Sequence, residues 1–368
     1  MQVLITGIAG FFGSRLAGWI LQNVPDAVVV GIDDLSGGFR ENIPDGAWWC
    51  RMSLGEGLNW PRHVGRPDLV FHCAAYAAEG LSPFIRRHNY VNNVVATAEV
   101  VNACLNWDVR RLVFLSSMAV YGEGNTPFRE YDPPAPIDPY GVAKLACEQD
   151  IRIAGNQHGL DWCVIRPHNV FGPGQSLWDP YRNVLGIWMA RHLEGLPLLI
   201  YGDGSQRRAF SWIDDCLPCL WRAATSLDAF RETINLGGDL PITIAEAADI
   251  VARVVGGARI EHAEARHEVR DAWCTTAKSR RVLGYRPSIP LEEALGRMWA
   301  WAQDVWPQTL IRRRQARRPK IEVQRGLYPF WRAAKGTGNR GEGTQGARAE
   351  SEMGSLPLFS ELVEDHRE

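Results

Sequence analysis

The feature that most constrains this chain lies at its start. An apolar strand candidate, Val3–Thr6, runs straight into the turn TGIAGFFG, Thr6 to Gly13, and then into a segment with helical spacing. Gly7, Gly10 and Gly13 recur every third position. A tight turn that lets backbone approach a pyrophosphate leaves no room for side chains, so glycine is required there. The helix that follows, with Phe11 and Phe12 in its first turn, offers free N–H groups and a positive dipole end to phosphate. A second strand candidate, Val28–Ile32, delivers Asp33 twenty residues after Gly13. A carboxylate at that strand end accepts hydrogen bonds from adenosine ribose hydroxyls and repels a 2′-phosphate, so the expected cofactor is NAD. A turn-forming role for Asp33 is the alternative, and the nearby Arg40 keeps NADP open.

This start fixes the fold class to be tested. Strand candidates Leu69–Cys73, Leu112–Ser116 and Trp162–Ile165 alternate with helical patterns at Phe11–Gln22, Asn89–Asn106 and Tyr140–His158. Continuous apolar strands separated by helices predict an α/β, doubly wound parallel sheet covered on both faces. With 368 residues the chain is long enough for such a domain plus a smaller one. Residues 1–165 are read as the NAD-binding domain. After Arg166 the texture turns to loops rich in Gly, Pro and Trp, with helices expected at Thr243–Val255 and Leu291–Ala302. Residues 166–306 are read as a mixed α/β substrate domain that returns some segments to the first. From 307 onward a basic run, Arg312–Lys320, and a stretch rich in Gly, Glu, Arg and Ser, Lys335–Gly354, predict a largely disordered tail.

Bulk properties exclude some partners. A formal net charge of −2 gives no reason to expect nucleic acid. The N-terminus has no basic segment followed by an apolar run and cleavage site, and no apolar stretch is long enough to span a bilayer, so no membrane partner is expected. The eight cysteines are scattered, as expected of reduced core thiols in a cytoplasmic protein. Cys216 and Cys219 form a lone C-x-x-C, read as the small-residue face of a helix, and no metal site is expected.

Two further segments carry chemistry. YGVAK places Tyr140 and Lys144 four apart, on one helix face, with Asp138 and Pro139 suited to the cap and first turn. A nearby ammonium favours the phenolate, so the Tyr140 pKa is expected to fall. The strand Leu112–Leu115 ends in SSMAVYG, Ser116 to Gly122, which puts Ser117 at the carboxyl edge of the sheet, where such folds bind ligands.

In these motifs, over residues 1 to 303, the chain resembles the NAD-dependent epimerase/dehydratase family of extended short-chain dehydrogenases. The resemblance implies that Ser117, Tyr140 and Lys144 are catalytic, with Tyr140 and Lys144 also touching NAD. PDLVFHCAA, Pro67 to Ala75, matches the segment beside NAD and implicates Ala74 and Ala75. NNVVAT contains Asn93, similar to the family's structural asparagine. RPHNVFGPG contains Asn169, which resembles the asparagine on the substrate diphosphate. The loop GPGQSLWDPYRN ends at Asn183, a further substrate-side candidate. GDGSQRRAFSWIDD contains Arg208, which resembles the arginine clamping that diphosphate, and Arg266 aligns loosely with a second phosphate position. A guanidinium fork suits phosphate. One departure is TTAK, Thr275 to Lys278, where the family usually has D-x-S-K.

The residues after Ser117 narrow the reaction. Met118 and Ala119 transfer no proton, whereas sugar-nucleotide 4,6-dehydratases carry Asp-Glu there and GDP-mannose 3,5-epimerases carry a cysteine at the Ala119 position. The resemblance therefore implies a nucleotide-sugar 4-epimerase, similar to UDP-glucose 4-epimerase, that oxidises C4 transiently with tightly bound NAD. The alternatives are a 3,5-epimerase, a dehydratase, a net dehydrogenase or reductase, and, in a different class, a non-catalytic NAD-binding scaffold. Glu79, in AAYAAEGLSPF, is expected near the hexose, where it could bind hydroxyls or an amino group, act as an acid or base from another loop, or merely lie at the surface. The expected partners are the nucleotide-diphosphate sugar and a second copy of the chain, paired through the helices at Asn89–Asn106 and Tyr140–His158. The choice of nucleotide and sugar is left open.

Overall fold

The computed structural model describes residues 1–56, 65–177, 179, 182–266, 268–315 and 319–327. The expected disordered stretch Lys335–Gly354 lies outside the described residues, as does part of the basic run Arg312–Lys320.

The strands of the main sheet are β1 (Gln2–Thr6), β2 (Val28–Asp33), β3 (Trp48–Arg51), β4 (Leu69–His72), β5 (Arg111–Leu115) and β6 (Trp162–Pro167). Short strands follow: β7 (Val170–Phe171), β8 (Leu198–Tyr201), β9 (Arg207–Arg208) and β10 (Ser211–Trp212). The seventh strand of the main sheet, β11 (Glu232–Leu236), comes only after these. The sheet order is β11-β6-β5-β4-β1-β2-β3, and every pairing in it is parallel. Strand order reverses between β1 and β4, and the crevice at the carboxyl ends of those two strands is where a doubly wound sheet binds its ligand.

The central strands are apolar without alternation because both faces are covered. β1, β4 and β5 are buried nearly throughout. One face packs under α1 (Phe11–Asn23) and holds Val3, Ile5, Leu16, Ile20, Phe71 and Val113. The other packs under α3 (Ala96–Trp107) and α4 (Pro139–His158) and holds Leu4, Val70, Val100, Phe114, Cys147 and Ile151. The expected single helix at 89–106 is instead α2 (Arg86–Tyr90), a π-helical turn Val91–Val95, and then α3. The wider turn accompanies the placement of Asn93, whose side chain is drawn inward.

Residues beyond 166 serve two places. α6 (Ile213–Thr225) lies against α1, β5 and β6, and β11 pairs with β6 as an edge strand. A separate apolar cluster joins α5 (Val184–Leu193), α7 (Ile244–Val254) and α9 (Leu291–Gln315) through Trp188, Leu198, Val251, Leu295 and Met298. Strands β12 (Ile242–Thr243), β13 (Ile260–Ala263) and β14 (Asp271–Ala272) and helix α8 (Ala277–Leu283) complete this half. Helix α9 runs well past Ala302 to Gln315, through Pro307. Its C-terminal arginines are anchored: Arg312 stacks 4.8 Å over the Phe39 ring and lies 3.8 Å from Glu41, and Arg313 pairs with Glu194. Residues Met1–Lys320 form one compact unit. Cys216 and Cys219 are buried in α6, each bonded to a backbone carbonyl four residues earlier. Among the described residues no helix is long and apolar enough to cross a membrane.

Candidate active site

The crevice begins with the glycine turn. Gly7 has φ +73° and donates to Ile32 O at 2.7 Å, while Gly10 N donates to Gly7 O at 3.0 Å. A Cβ on Gly7 would stand 2.7 Å from Ala74 N, and one on Gly13 would stand 2.1 Å from Gly7 O. The turn is therefore pressed against the end of β4 on one side and the first turn of α1 on the other. Helix α1 has Gly10 as its cap, no side-chain cap bond and no acidic residue in its first turn, so Phe11 and Phe12 begin a helix whose N-terminus is open to an anion. Gly38 was not singled out from the sequence. A Cβ there would lie 2.4 Å from Ala9 O, so the loop after β2 also passes close over the turn. A cradle that side chains would fill, facing open N–H groups, fits the diphosphate of a dinucleotide.

Asp33 ends β2 nearly buried. Its carboxylate accepts from Ala9 N at 2.9 Å and from Leu35 N at 2.8 Å, so it forms the turn with one backbone bond to each oxygen. Burial pushes its pKa up and those two backbone bonds pull it back. Arg40 lies exposed on the loop beyond.

Behind the crevice is a buried chain of polar groups. Thr6 Oγ1 and His72 Nδ1 are 2.6 Å apart, His72 Nε2 and Thr97 Oγ1 3.0 Å, and Thr97 Oγ1 donates to Asn93 O at 2.6 Å. Because Thr97 gives its proton to Asn93, it must accept from His72 Nε2, and Nδ1 then accepts from Thr6. Burial, with Lys144 nearby, lowers the His72 pKa to about 3, consistent with that neutral tautomer. Asn93 accepts from Tyr76 N at 3.1 Å and donates to Asn89 O at 2.9 Å and Tyr76 O at 3.3 Å, which holds the loop carrying Ala74 and Ala75.

Ser117, Tyr140 and Lys144 converge at the carboxyl end of β5. Asp138 caps α4 by accepting from Gly141 N at 2.9 Å, with Pro139 in the first turn. The turn brings Tyr140 and Lys144 inward, 5 % and 3 % exposed. Ser117 hydrogen-bonds the Tyr140 hydroxyl and accepts from Ala119 N at 3.1 Å. Lys144 Nζ donates to Leu115 O at 2.7 Å and lies 5.9 Å from the centre of the Tyr140 ring. The expected fall in the Tyr140 pKa is corrected here. Burial is the largest influence and pushes it up, and the Glu79 carboxylate adds to the rise; the Ser117 bond and Arg182 oppose it. Lys144 yields instead: burial lowers its pKa to about 8.

Beneath α4 a second buried network fixes its place. Arg166 makes a two-pronged pair with Glu148 at 2.8 and 2.6 Å, Ser116 Oγ donates to Glu148 at 2.6 Å, Arg166 donates to Tyr121 OH at 2.8 Å, and Tyr121 OH donates to Asn235 Oδ1 at 2.7 Å.

The substrate-side candidates are spread over several loops. Asn169 has φ +43° and donates to Ala209 O at 3.0 Å. Asn183 caps α5, accepting from Leu185 N at 3.0 Å and donating to Val170 O at 3.3 Å. Arg208 donates to Arg207 O and Arg270 O at 2.9 Å and to Val269 O at 2.6 Å, bonds that hold its guanidinium in one place. Arg266 stacks 3.6 Å from the centre of the Tyr201 ring. Glu79 is exposed and opens the turn Glu79–Phe84. Its pKa is pushed up to about 7 by desolvation, then by Asp138, with Arg208 opposing. Sequence reasoning missed Ser82, which donates to Glu79 O at 2.8 Å and accepts from Tyr140 N at 3.2 Å. It also missed Arg182, paired with Asp179 at 2.9 Å and bonded to Ala77 O. No local pattern signals either residue; both act across long sequence separations.

The chain is similar to known proteins over most of its length. It is 30 % identical over 309 residues, 81 % of this chain and 97 % of the relative, to a UDP-glucose 4-epimerase of Mycolicibacterium smegmatis. Among solved structures, a UDP-glucose 4-epimerase of Thermotoga maritima with UDP-glucose superposes with TM-score 0.77 at 28 % identity, covering 83 % of this chain and 100 % of that one. A UDP-glucuronic acid 4-epimerase of Bacillus cereus, in complex with UDP-glucuronic acid and NAD, superposes with TM-score 0.76 at 27 % identity, with coverage of 83 % and 100 %. Residues 3–237 match the family model described as NAD dependent epimerase/dehydratase family, and the chain belongs to that family.

Proposed function

We propose that this chain is a UDP-sugar 4-epimerase working by transient oxidation at C4. The observation that carries the reading is the convergence of Ser117, Tyr140 and Lys144 at the end of β5, followed by Met118 and Ala119, which transfer no proton. Tyr140 takes the proton of the sugar 4-hydroxyl and returns it. Ser117 holds that hydroxyl and shares the proton. Lys144 orients Tyr140 and favours its phenolate. Asn169, Asn183, Arg208 and Arg266 hold the substrate diphosphate side while the oxidised sugar turns over. Gly7, Gly10, Gly13, Phe11 and Phe12 cradle the cofactor diphosphate, Asp33 takes the adenosine ribose, and Ala74 and Ala75 line the crevice, with Asn93 bracing their loop. When bound, NAD accepts and returns the C4 hydrogen and, oxidised, supplies the positive charge that offsets the burial of Tyr140.

Residues 1–165 serve chiefly the cofactor and residues 166–306 the substrate. The working form is a homodimer: Val95, Val142 and Ile153 on the π-helical turn and α4 are exposed apolar residues suited to a partner helix pair. The compartment is the cytoplasm, where eight unpaired cysteines stay reduced.

The test is incubation with UDP-glucose in heavy water. Product inverted at C4 with no carbon-bound deuterium is expected. A second reading, a 3,5-epimerase or dehydratase, is favoured by Glu79 beside Tyr140; deuterium at C3, C5 or C6 would establish it and end the first.

A further inference from the structure

Helix α9 continues past residue 303, where the family resemblance ends, to Gln315. Pro307 stands inside this extension and can donate no backbone hydrogen bond, so local propensity alone does not carry the helix onward. Two other parts of the molecule hold its end. Arg313 pairs with Glu194, the C-cap residue of α5, and α5 shares an apolar cluster with α9. Arg312 reaches instead to the loop after β2. Its guanidinium lies 4.8 Å from the centre of the Phe39 ring and 3.8 Å from the Glu41 carboxylate. Glu41 is largely exposed, so that ion pair is screened and weak, and the contact with the ring is the stronger of the two.

The loop that Arg312 holds rests on the cofactor turn. Ala9, between Gly7 and Gly10, is bonded through both its peptide groups. Its N–H donates to Asp33 at 2.9 Å, and its carbonyl accepts from Phe39 N at 3.3 Å and from the Asn42 side-chain amide at 2.9 Å. Gly38 passes so close that a Cβ on it would stand 2.4 Å from Ala9 O. The 3-10 turn Arg40–Asn42 is closed by Asn42 N donating to Phe39 O and Ile43 N to Arg40 O, both at 3.0 Å, so residues 39–43 move together. A displacement of Phe39 is therefore transmitted to Ala9, which lies within the diphosphate cradle and bonds the carboxylate proposed for the adenosine ribose.

We infer that the end of α9 is a strap on the NAD site. Arg312, acting through Phe39 and Glu41, holds the loop after β2 down on Ala9 and slows release of the bound dinucleotide. Arg312 is a positioning residue, since it acts through the loop and not on the cofactor. The inference rests on NAD binding at the glycine turn and is independent of which sugar the enzyme takes.

The test is a release measurement that involves no turnover. The full chain is loaded with radiolabelled NAD, chased with excess unlabelled NAD, and the loss of bound label is followed. Arg312→Ala should release label about fivefold faster than the wild type, the size of one partly exposed cation–π contact. Arg312→Lys, which keeps a cation over the ring, should stay within about twofold of the wild type. Phe39→Leu should release about as fast as Arg312→Ala, and the double variant no faster than either, because both substitutions remove the same contact. An unchanged rate in folded Arg312→Ala would overturn the inference, as would effects that multiply in the double variant. Should Arg312→Ala not fold, an unchanged rate in Phe39→Leu would overturn it equally. A wild type that holds no NAD would remove the cofactor assignment, and this inference with it.

Discussion

The two ends of the cleft are built on different principles. The proposed cofactor end is made of backbone: Gly7, Gly13 and Gly38 let three segments approach closer than any side chain permits, and the N-terminus of α1 is left without a side-chain cap. The proposed sugar end is instead made of side chains contributed by well-separated segments, among which Arg182, Arg208 and Glu268 are held by long-range bonds. The first leaves no room for a side chain at those glycines. The second can change one side chain at a time and so can change substrate.

Substitutions at each end should break that contrast in different ways. The largest effect is expected from Tyr140→Phe: turnover of UDP-glucose should fall by about 10³-fold, because the proton acceptor is removed, while NAD released on denaturation should be unchanged. Loss of NAD in this variant would show that the two ends are not separable. Gly13→Ala comes next. With Gly7 O only 2.1 Å from the new Cβ, the turn must open, and the purified protein should carry no NAD and melt roughly 5 °C lower. Retained NAD would mean that the cradle is softer than its geometry. Asp33→Asn should weaken NAD about tenfold and narrow its advantage over NADP, read by equilibrium dialysis. Unchanged affinities would leave Asp33 as a turn former alone.

The smallest expected effect concerns stability and pH. The folded protein holds the Glu79 proton up to about pH 7, against an ordinary value of 4.5. Between those values the folded state binds more protons than the unfolded state, so this group's contribution to stability falls as pH rises through 7. Glu79→Gln, which removes the titration, should therefore gain stability relative to wild type as pH rises: about 2 °C in Tm at pH 8 and little at pH 5. A constant difference across that range would show that Glu79 titrates normally.

The cofactor end was largely legible because its determinants are consecutive. A strand, three spaced glycines and a helix occupy residues 2–23, and Asp33 closes the next strand. Tyr140 and Lys144 share one helix turn, and Ser117 ends the strand before it. What local pattern could not supply is whatever depends on distant packing. The Tyr140 pKa moves opposite to the expectation because burial, with Glu79, outweighs the Ser117 bond and Arg182. Ser82 and Arg182 reach the site only through tertiary contacts. The extension of α9 to Gln315 was hidden by a composition that reads as tail, whereas Phe39, Glu41 and Glu194 supply its partners.

The buried bond from Tyr121 to Asn235 spans 114 positions, and it ties the strand that finishes the sheet to the arginine beneath the catalytic helix. During synthesis the chain leaves the ribosome from its N-terminus. When β6 ends at Pro167, Glu148 already has Arg152 and Arg166, but β6 has a bare edge. The missing strand arrives only with residue 236, after the loops of the substrate half. At about 5–20 residues per second this interval lasts roughly 4–14 s. Throughout it the nascent protein presents an unpaired strand edge on β6 and a Tyr121 hydroxyl awaiting Asn235, which makes this the interval in which a chaperone has most to protect.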